Sequence, residues 1–240
     1  MKLNRILSSV ALSALLASPA GAQRQFDITT KPGAPVQSTM YGIFFEDINF
    51  GADGGLYAEM VENRSFEFPN RLMGWNTWGN VSVSSIKPAF DRNPNYVVLE
   101  QSGHREKSTG LENRGFFGMG LKKGMKYNFS VYGRLHLLNG KQAKIRVELV
   151  DENNNPMERK SITITNNQWK KYSVELTSKQ TLQKGYMRIF LEGNESVDLD
   201  HVSMFPADNW NGLRADLVKD LEDLHPGIFR FPGGCIVDRK

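Results

Sequence analysis

The chain has 240 residues, 40% of them apolar and 23% charged, an ordinary mixture for a folded globular protein. Its net charge of +4 is small and scattered, which excludes a nucleic-acid footprint. The only cysteine, Cys235, excludes an intrachain disulfide scaffold.

The first residues carry an export pattern. Lys2 and Arg5 form a short positive region, Ile6–Leu16 is apolar apart from serines, and Ala20-Gly21-Ala22 offers small residues for cleavage before Gln23. Residues 1–22 therefore read as a signal peptide. The apolar run is well short of the roughly 20 residues that span a bilayer, so no membrane association is expected after cleavage. The expected destination is secreted or periplasmic.

Tyr41–Phe45 is a compact apolar run that predicts a buried strand. It ends on the acidic pair Glu46-Asp47, and Gly51, Gly54 and Gly55 follow. Leu56 and Met60, at i, i+4 spacing, predict a short helix over Leu56–Asn63. From about Trp75 to Phe205 the apolar period is two. Tyr127, Phe129 and Val131 alternate, as do Ile145, Val147 and Leu149, then Ile162 and Ile164. Tyr172, Val174 and Leu176 keep the period, and so do Met187, Ile189 and Leu191. Turn-rich segments such as Leu138–Lys141 and Asp151–Pro156 separate these runs, which together predict an antiparallel β-sandwich. Leu217, Leu221 and Leu224 then predict a helix that Pro226-Gly227 stops. Ile228–Phe231 predicts a second short buried strand, leading into Pro232-Gly233-Gly234-Cys235. A strand, a helix and a strand are elements of a β/α architecture, with the sandwich inserted between its first two units.

Side chains at strand ends point into the mouth of a β/α barrel. Glu46 and Asp47 would stand at one such end and Cys235 at another. A carboxylate there can accept hydrogen bonds from two sugar hydroxyls, and glycines before Cys235 let the backbone approach a ligand closely. The competing reading has Glu46 capping a helix or pairing with Arg64; the residues alone leave both open.

Two long motifs resemble glycoside hydrolase family 51 α-L-arabinofuranosidases. One runs from Tyr41-Gly42-Ile43-Phe44-Phe45-Glu46-Asp47-Ile48-Asn49 through Asp53–Met60 to Asn63-Arg64-Ser65-Phe66-Glu67. The other spans Arg214–Val237, including Arg230-Phe231-Pro232-Gly233-Gly234-Cys235. Between them, Gly124–Ser130, Trp169–Tyr172 and Leu199–Met204 resemble carbohydrate-binding modules of families 4 and 9. The resemblance implies an α+β, multi-domain chain. Residues 23–70 and 207–240 would be the first two β/α units of a (β/α)8 TIM barrel, and 71–206 a jelly-roll, galactose-binding-like sandwich. It further implies a retaining glycosidase that removes terminal α-L-arabinofuranosyl residues from arabinan or arabinoxylan. Glu46 and the position of Cys235 would line the arabinose subsite, with Gly234, Asp47 and Asn49 as neighbouring candidates. The family's acid/base and nucleophile glutamates lie on later strands, so no catalytic residue is assigned and the chain alone is expected to be inactive. Where the family continues with a glutamate and a glycine after Val237, this chain reads Asp238-Arg239-Lys240. The alternative reading is a stand-alone, lectin-like carbohydrate-binding module.

In the sandwich, Trp75, Trp78 and Trp169 are candidate platforms for stacking a sugar face, against a competing role as core residues. Trp169 reads as the core residue of a strand start. His104, His136, His201 and His225 are dispersed, so no metal site and no cofactor are expected. Asp198 and Asp200 could join a structural calcium site, against the simpler reading of a solvated strand end. The expected partner is an arabinose-containing plant polysaccharide or oligosaccharide, with oligomeric state not legible.

Overall fold

A computed structural model describes residues 30–101, 108–136 and 142–231. The predicted signal peptide, the Leu138–Lys141 turn, Gly234 and Cys235 lie outside the described residues. The stretch up to Met40 forms a unit of its own, in which Met40 N–H donates to Gln37 O at 2.9 Å and closes a 3-10 turn over Ser38–Met40. The remainder forms a second unit.

That second unit is built mainly of antiparallel strands. Its first sheet joins β3 (Asn80–Ser84), β4 (Tyr96–Glu100), β7 (Lys126–Leu135), β10 (Lys170–Thr177) and β12 (Val197–Pro206) in the order β10-β7-β12-β4-β3. Its second joins β2 (Trp75–Trp78), β5 (Gly110–Asn113), β8 (Ala143–Val150), β9 (Pro156–Ile164) and β11 (Leu182–Glu192) in the order β2-β5-β11-β8-β9. The short β6 (Met119–Leu121) also pairs with β11. The period of two explains the layering. Tyr127, Phe129 and Val131 of β7 face Ile145, Val147 and Leu149 of β8 and Met187, Ile189 and Leu191 of β11 across one buried core. Each such side chain contributes about 1.5–3 kcal/mol by leaving water. The Asp151–Pro156 turn forms as its composition predicts: the Asp151 carboxylate accepts the N–H groups of Asn153 and Asn155, each at 2.8 Å.

Outside the sandwich, β1 (Gly42–Phe44) pairs in parallel with β13 (Ile228–Arg230), Gly42 opposite Ile228 and Phe44 opposite Arg230. A Cβ at Gly42 would sit 2.3 Å from Ile228 O, so only glycine permits this approach. Both strands are shorter than predicted, and neither is buried: Phe44 and Phe229 are about half exposed, at 52% and 50%. The physical reason is that, among the described residues, each has only the other as a strand partner. The helix α1 (Ala215–Asp223) precedes β13 and likewise has no buried residue.

The predicted helix over Leu56–Asn63 does not form. Its backbone groups are claimed from far along the chain: Ala58 N–H donates to Gly212 O at 2.8 Å, Met60 N–H to Met204 O at 3.0 Å, and Arg214 N–H to Leu56 O at 2.9 Å. A helix would need the Met60 N–H and the Leu56 carbonyl for its own first i to i−4 bond. The first predicted β/α unit therefore has no helix among the described residues.

Candidate functional site

Because β1 and β13 are parallel, their C-terminal ends reach one edge, where the Phe45 and Phe231 rings pack at 5.8 Å. Glu46 follows, half-buried, and its carbonyl accepts Ile48 N–H at 2.9 Å. Asp47 is exposed, and its Oδ1 accepts Ala52 N–H at 2.9 Å, which folds the loop back. Asn49, at the exposed tip, and Phe50 both take left-handed φ values, 53° and 62°. Arg64, the alternative partner for Glu46, instead lies 3.6 Å from Glu59.

Glu59 lies within the first family-51-like motif without being marked there as a site, yet it is the buried hub joining this segment to β12. Its carboxylate accepts Ser203 Oγ–H at 2.6 Å, Met204 N–H at 2.9 Å and Val61 N–H at 3.0 Å. Burial raises its pKa, while those hydrogen bonds and the Arg64 guanidinium oppose the rise. A cavity of about 420 Å³ opens beside it, lined among others by Asp47, Phe50, Arg64 and Glu67. Among the described residues no group of three or more His, Cys, Asp or Glu side chains could hold a metal ion.

The outer face of the five-stranded sheet carries a larger cleft, of about 660 Å³. Inward alternation in β7 leaves Asn128 and Ser130 pointing outward, and β10 adds Lys171, Ser173 and Glu175 beside them. Tyr57 and Phe205, edge to face with centroids 5.3 Å apart, and Asn209 complete the walls. Hydroxyls and amides that both donate and accept, charges of both signs, and two aromatic rings suit a neutral, hydroxyl-rich ligand. Tyr57 and Phe205 were missed in the sequence because the cleft draws them from outside the alternating core pattern.

The three tryptophan candidates lie elsewhere. Trp75 is a core residue, 6% exposed, packed on Phe66 and donating its indole N–H to Asn63 O at 3.0 Å. Trp78 lies over Gly110 and packs on Phe190 at 5.2 Å, on the other sheet. Trp169 is half-buried rather than core. Arg134 stacks 4.5 Å from its ring, and its N–H donates to Lys87 O at 3.0 Å.

Asp198 and Asp200 are buried, not solvated. Asp198 is held by Arg134 at 2.7 Å and by His136 Nδ1 at 2.6 Å, so cationic and imidazole partners already occupy the carboxylate that calcium would need. That donor set does not fit the ion. Asp200 sits at a bulge in β12, where Oδ1 accepts His201 N–H at 2.6 Å and Oδ2 has no partner among the described residues. Burial pushes its carboxyl up to about 7. His201 follows at φ 45°, its pKa lowered by burial and then by Arg64.

A sandwich with a polar cleft on one sheet face defines a class. This chain belongs to the CBM 4/9 carbohydrate binding domain family, whose profile matches residues 58–197. Over a longer span it is 37% identical to the extracellular exo-α-L-arabinofuranosidase of Streptomyces chartreusis, covering 89% of this chain and 26% of that one. It is 31% identical to α-L-arabinofuranosidase 1 of Arabidopsis thaliana, covering 89% and 34%. The solved structure of an arabinose-bound GH51 α-L-arabinofuranosidase matches with a TM-score of 0.72 at 28% identity, covering 85% of this chain and 36% of that chain. The chain thus spans between 26% and 34% of the length of these curated relatives. They are the relatives that the motifs around Glu46 and Arg230 resemble.

Proposed function

We propose that this chain is the N-terminal, glycan-recognising portion of an exported α-L-arabinofuranosidase acting on arabinan or arabinoxylan. The observation that carries this reading is the in-register parallel pairing of β1 with β13 across the whole inserted sandwich. Parallel strands require a crossover, and an exposed parallel pair with no other strand partner among the described residues suits a place in a larger covered sheet. In a (β/α)8 barrel the strand ends that carry Glu46 and lead to Cys235 would face the substrate. Glu46 would then bind arabinose hydroxyls, with Cys235 and Gly234 across the subsite and Asp47 and Asn49 shaping its loop. Retaining hydrolysis needs two carboxyl groups about 5–5.5 Å apart. By resemblance both come from strands after β13, so these residues supply recognition and not bond cleavage. The N-terminal export pattern and the extracellular relative from Streptomyces chartreusis support secretion.

The test is hydrolysis of an aryl α-L-arabinofuranoside by this chain and by the chain extended along its reading frame past the codon for Lys240. Turnover is expected only in the extended chain and should be lost on Glu46→Ala. Turnover by the present chain above its own Glu46→Ala control would overturn the proposal, as would a stop codon directly after Lys240. The cleft on the five-stranded sheet favours a second, compatible activity, in which the sandwich itself holds a neutral glycan.

A further inference from the structure

The eleven residues between β3 and β4, residues 85–95, make a tight turn at Phe90–Asn93 and pack on the outer face of their own sheet. Their attachment is specific. Arg134 donates to Lys87 O at 2.8 Å and to Ile86 O at 3.2 Å, Tyr96 Oη–H donates to Ile86 O at 2.8 Å, and Trp169 adds the bond to Lys87 O. Farther along, Phe90 packs on Tyr132 at 4.9 Å and on His201 at 4.3 Å. The far end is tied down by Asn95 N–H donating to Glu67 Oε1 at 2.8 Å.

The register of β7 shows what this strap does to the cleft. Outward positions along β7 run Asn128, Ser130, Tyr132, Arg134. The first two form the cleft floor, and the last two lie under the strap. Successive outward positions are about 7 Å apart on a strand. The Phe90–Tyr132–His201 stack therefore stands one step beyond Ser130, the last outward β7 residue that lines the cleft.

We infer that this strap makes the sandwich a reader of short glycan ends, and that Phe90 sets the length limit. The inference rests on the sandwich cleft binding a neutral glycan, as proposed above. A volume of about 660 Å³ is within the range of small-ligand sites, enough for about two or three pentose rings. A polymer running along the sheet would have to pass through Phe90. A chain terminus or a short side branch would not.

Calorimetric titration of the chain with linear arabino-oligosaccharides from the monosaccharide to the hexasaccharide tests this. Affinity is expected to rise up to the trisaccharide and then stay within about twofold. In Phe90→Ala, shown folded by circular dichroism, the hexasaccharide should gain about tenfold over the trisaccharide as the end wall is removed. If the unmodified chain gains tenfold between trisaccharide and hexasaccharide, the strap does not limit length and the inference fails, while glycan binding by the cleft stands. If the folded chain binds no oligosaccharide of any length, the cleft reading itself fails. The unmodified chain's length profile decides the matter even if Phe90→Ala does not fold.

Discussion

Replacing Asp200 by asparagine is expected to flatten the pH dependence of the sandwich's stability between about pH 4 and pH 7. Burial raises this carboxyl from the 3.8 of a solvated aspartate to about 7 in the folded state. Over that window the folded protein keeps a proton that the unfolded chain has lost. Its stabilising contribution is therefore complete below the unfolded pKa and is lost as pH rises through the folded one. About three pH units at 1.36 kcal/mol each amount to about 4 kcal/mol. Asparagine mimics the protonated acid in shape and carries no charge, so Asp200→Asn should match the parent near pH 4 and exceed it by up to that amount near pH 8. Glu59, whose pKa burial also raises, acts in the same direction and remains in both proteins, so the difference between them isolates Asp200. Urea denaturation midpoints at half-unit steps from pH 4 to pH 8.5 measure it. Parallel stability curves for the two proteins would refute the reasoning.

Glu59→Ala should cost about 3 kcal/mol, because it strands the buried Met204 N–H and Ser203 hydroxyl that the carboxylate now satisfies. A urea midpoint shift corresponding to less than about 1 kcal/mol would show that water replaces the carboxylate at no cost. Trp75→Ala should destabilise by about 3–5 kcal/mol as a large buried aromatic removed from the core. A melting temperature unchanged by that substitution would return Trp75 to the surface, as a candidate sugar platform.

Strands β7, β8 and β11 were legible because three or more of their apolar residues alternate in a row with one face in the core. The shorter β3 and β5 were not: Asn80–Ser84 and Gly110–Asn113 offer too few apolar residues to define a period. In β12 the inward residues are Val197, Leu199, Val202 and Met204, and the step of three between Leu199 and Val202 records the bulge at Asp200. That step was present in the sequence, but its consequence, two buried polar atoms (Asp200 Oδ2 and His201 Nε2) without a partner among the described residues, depends on how neighbouring elements cover the face. The Leu56–Met60 spacing misled because the Met204 carbonyl and the Arg214 N–H take the Met60 N–H and the Leu56 carbonyl that a local helix bond would join. The cleft was hidden for a related reason. Asn128, Ser130 and Ser173 are ordinary outward residues in sequence, and only the positions of Tyr57, Phe205 and Asn209 around them make a site.

Affinity electrophoresis of the chain through gels cast with arabinan or arabinoxylan tests the claim of glycan recognition most directly. The account predicts retardation relative to a polysaccharide-free gel, and its loss in an Asn128→Ala, Ser130→Ala double variant of unchanged stability. Migration of the folded parent chain unretarded by either polysaccharide would contradict it.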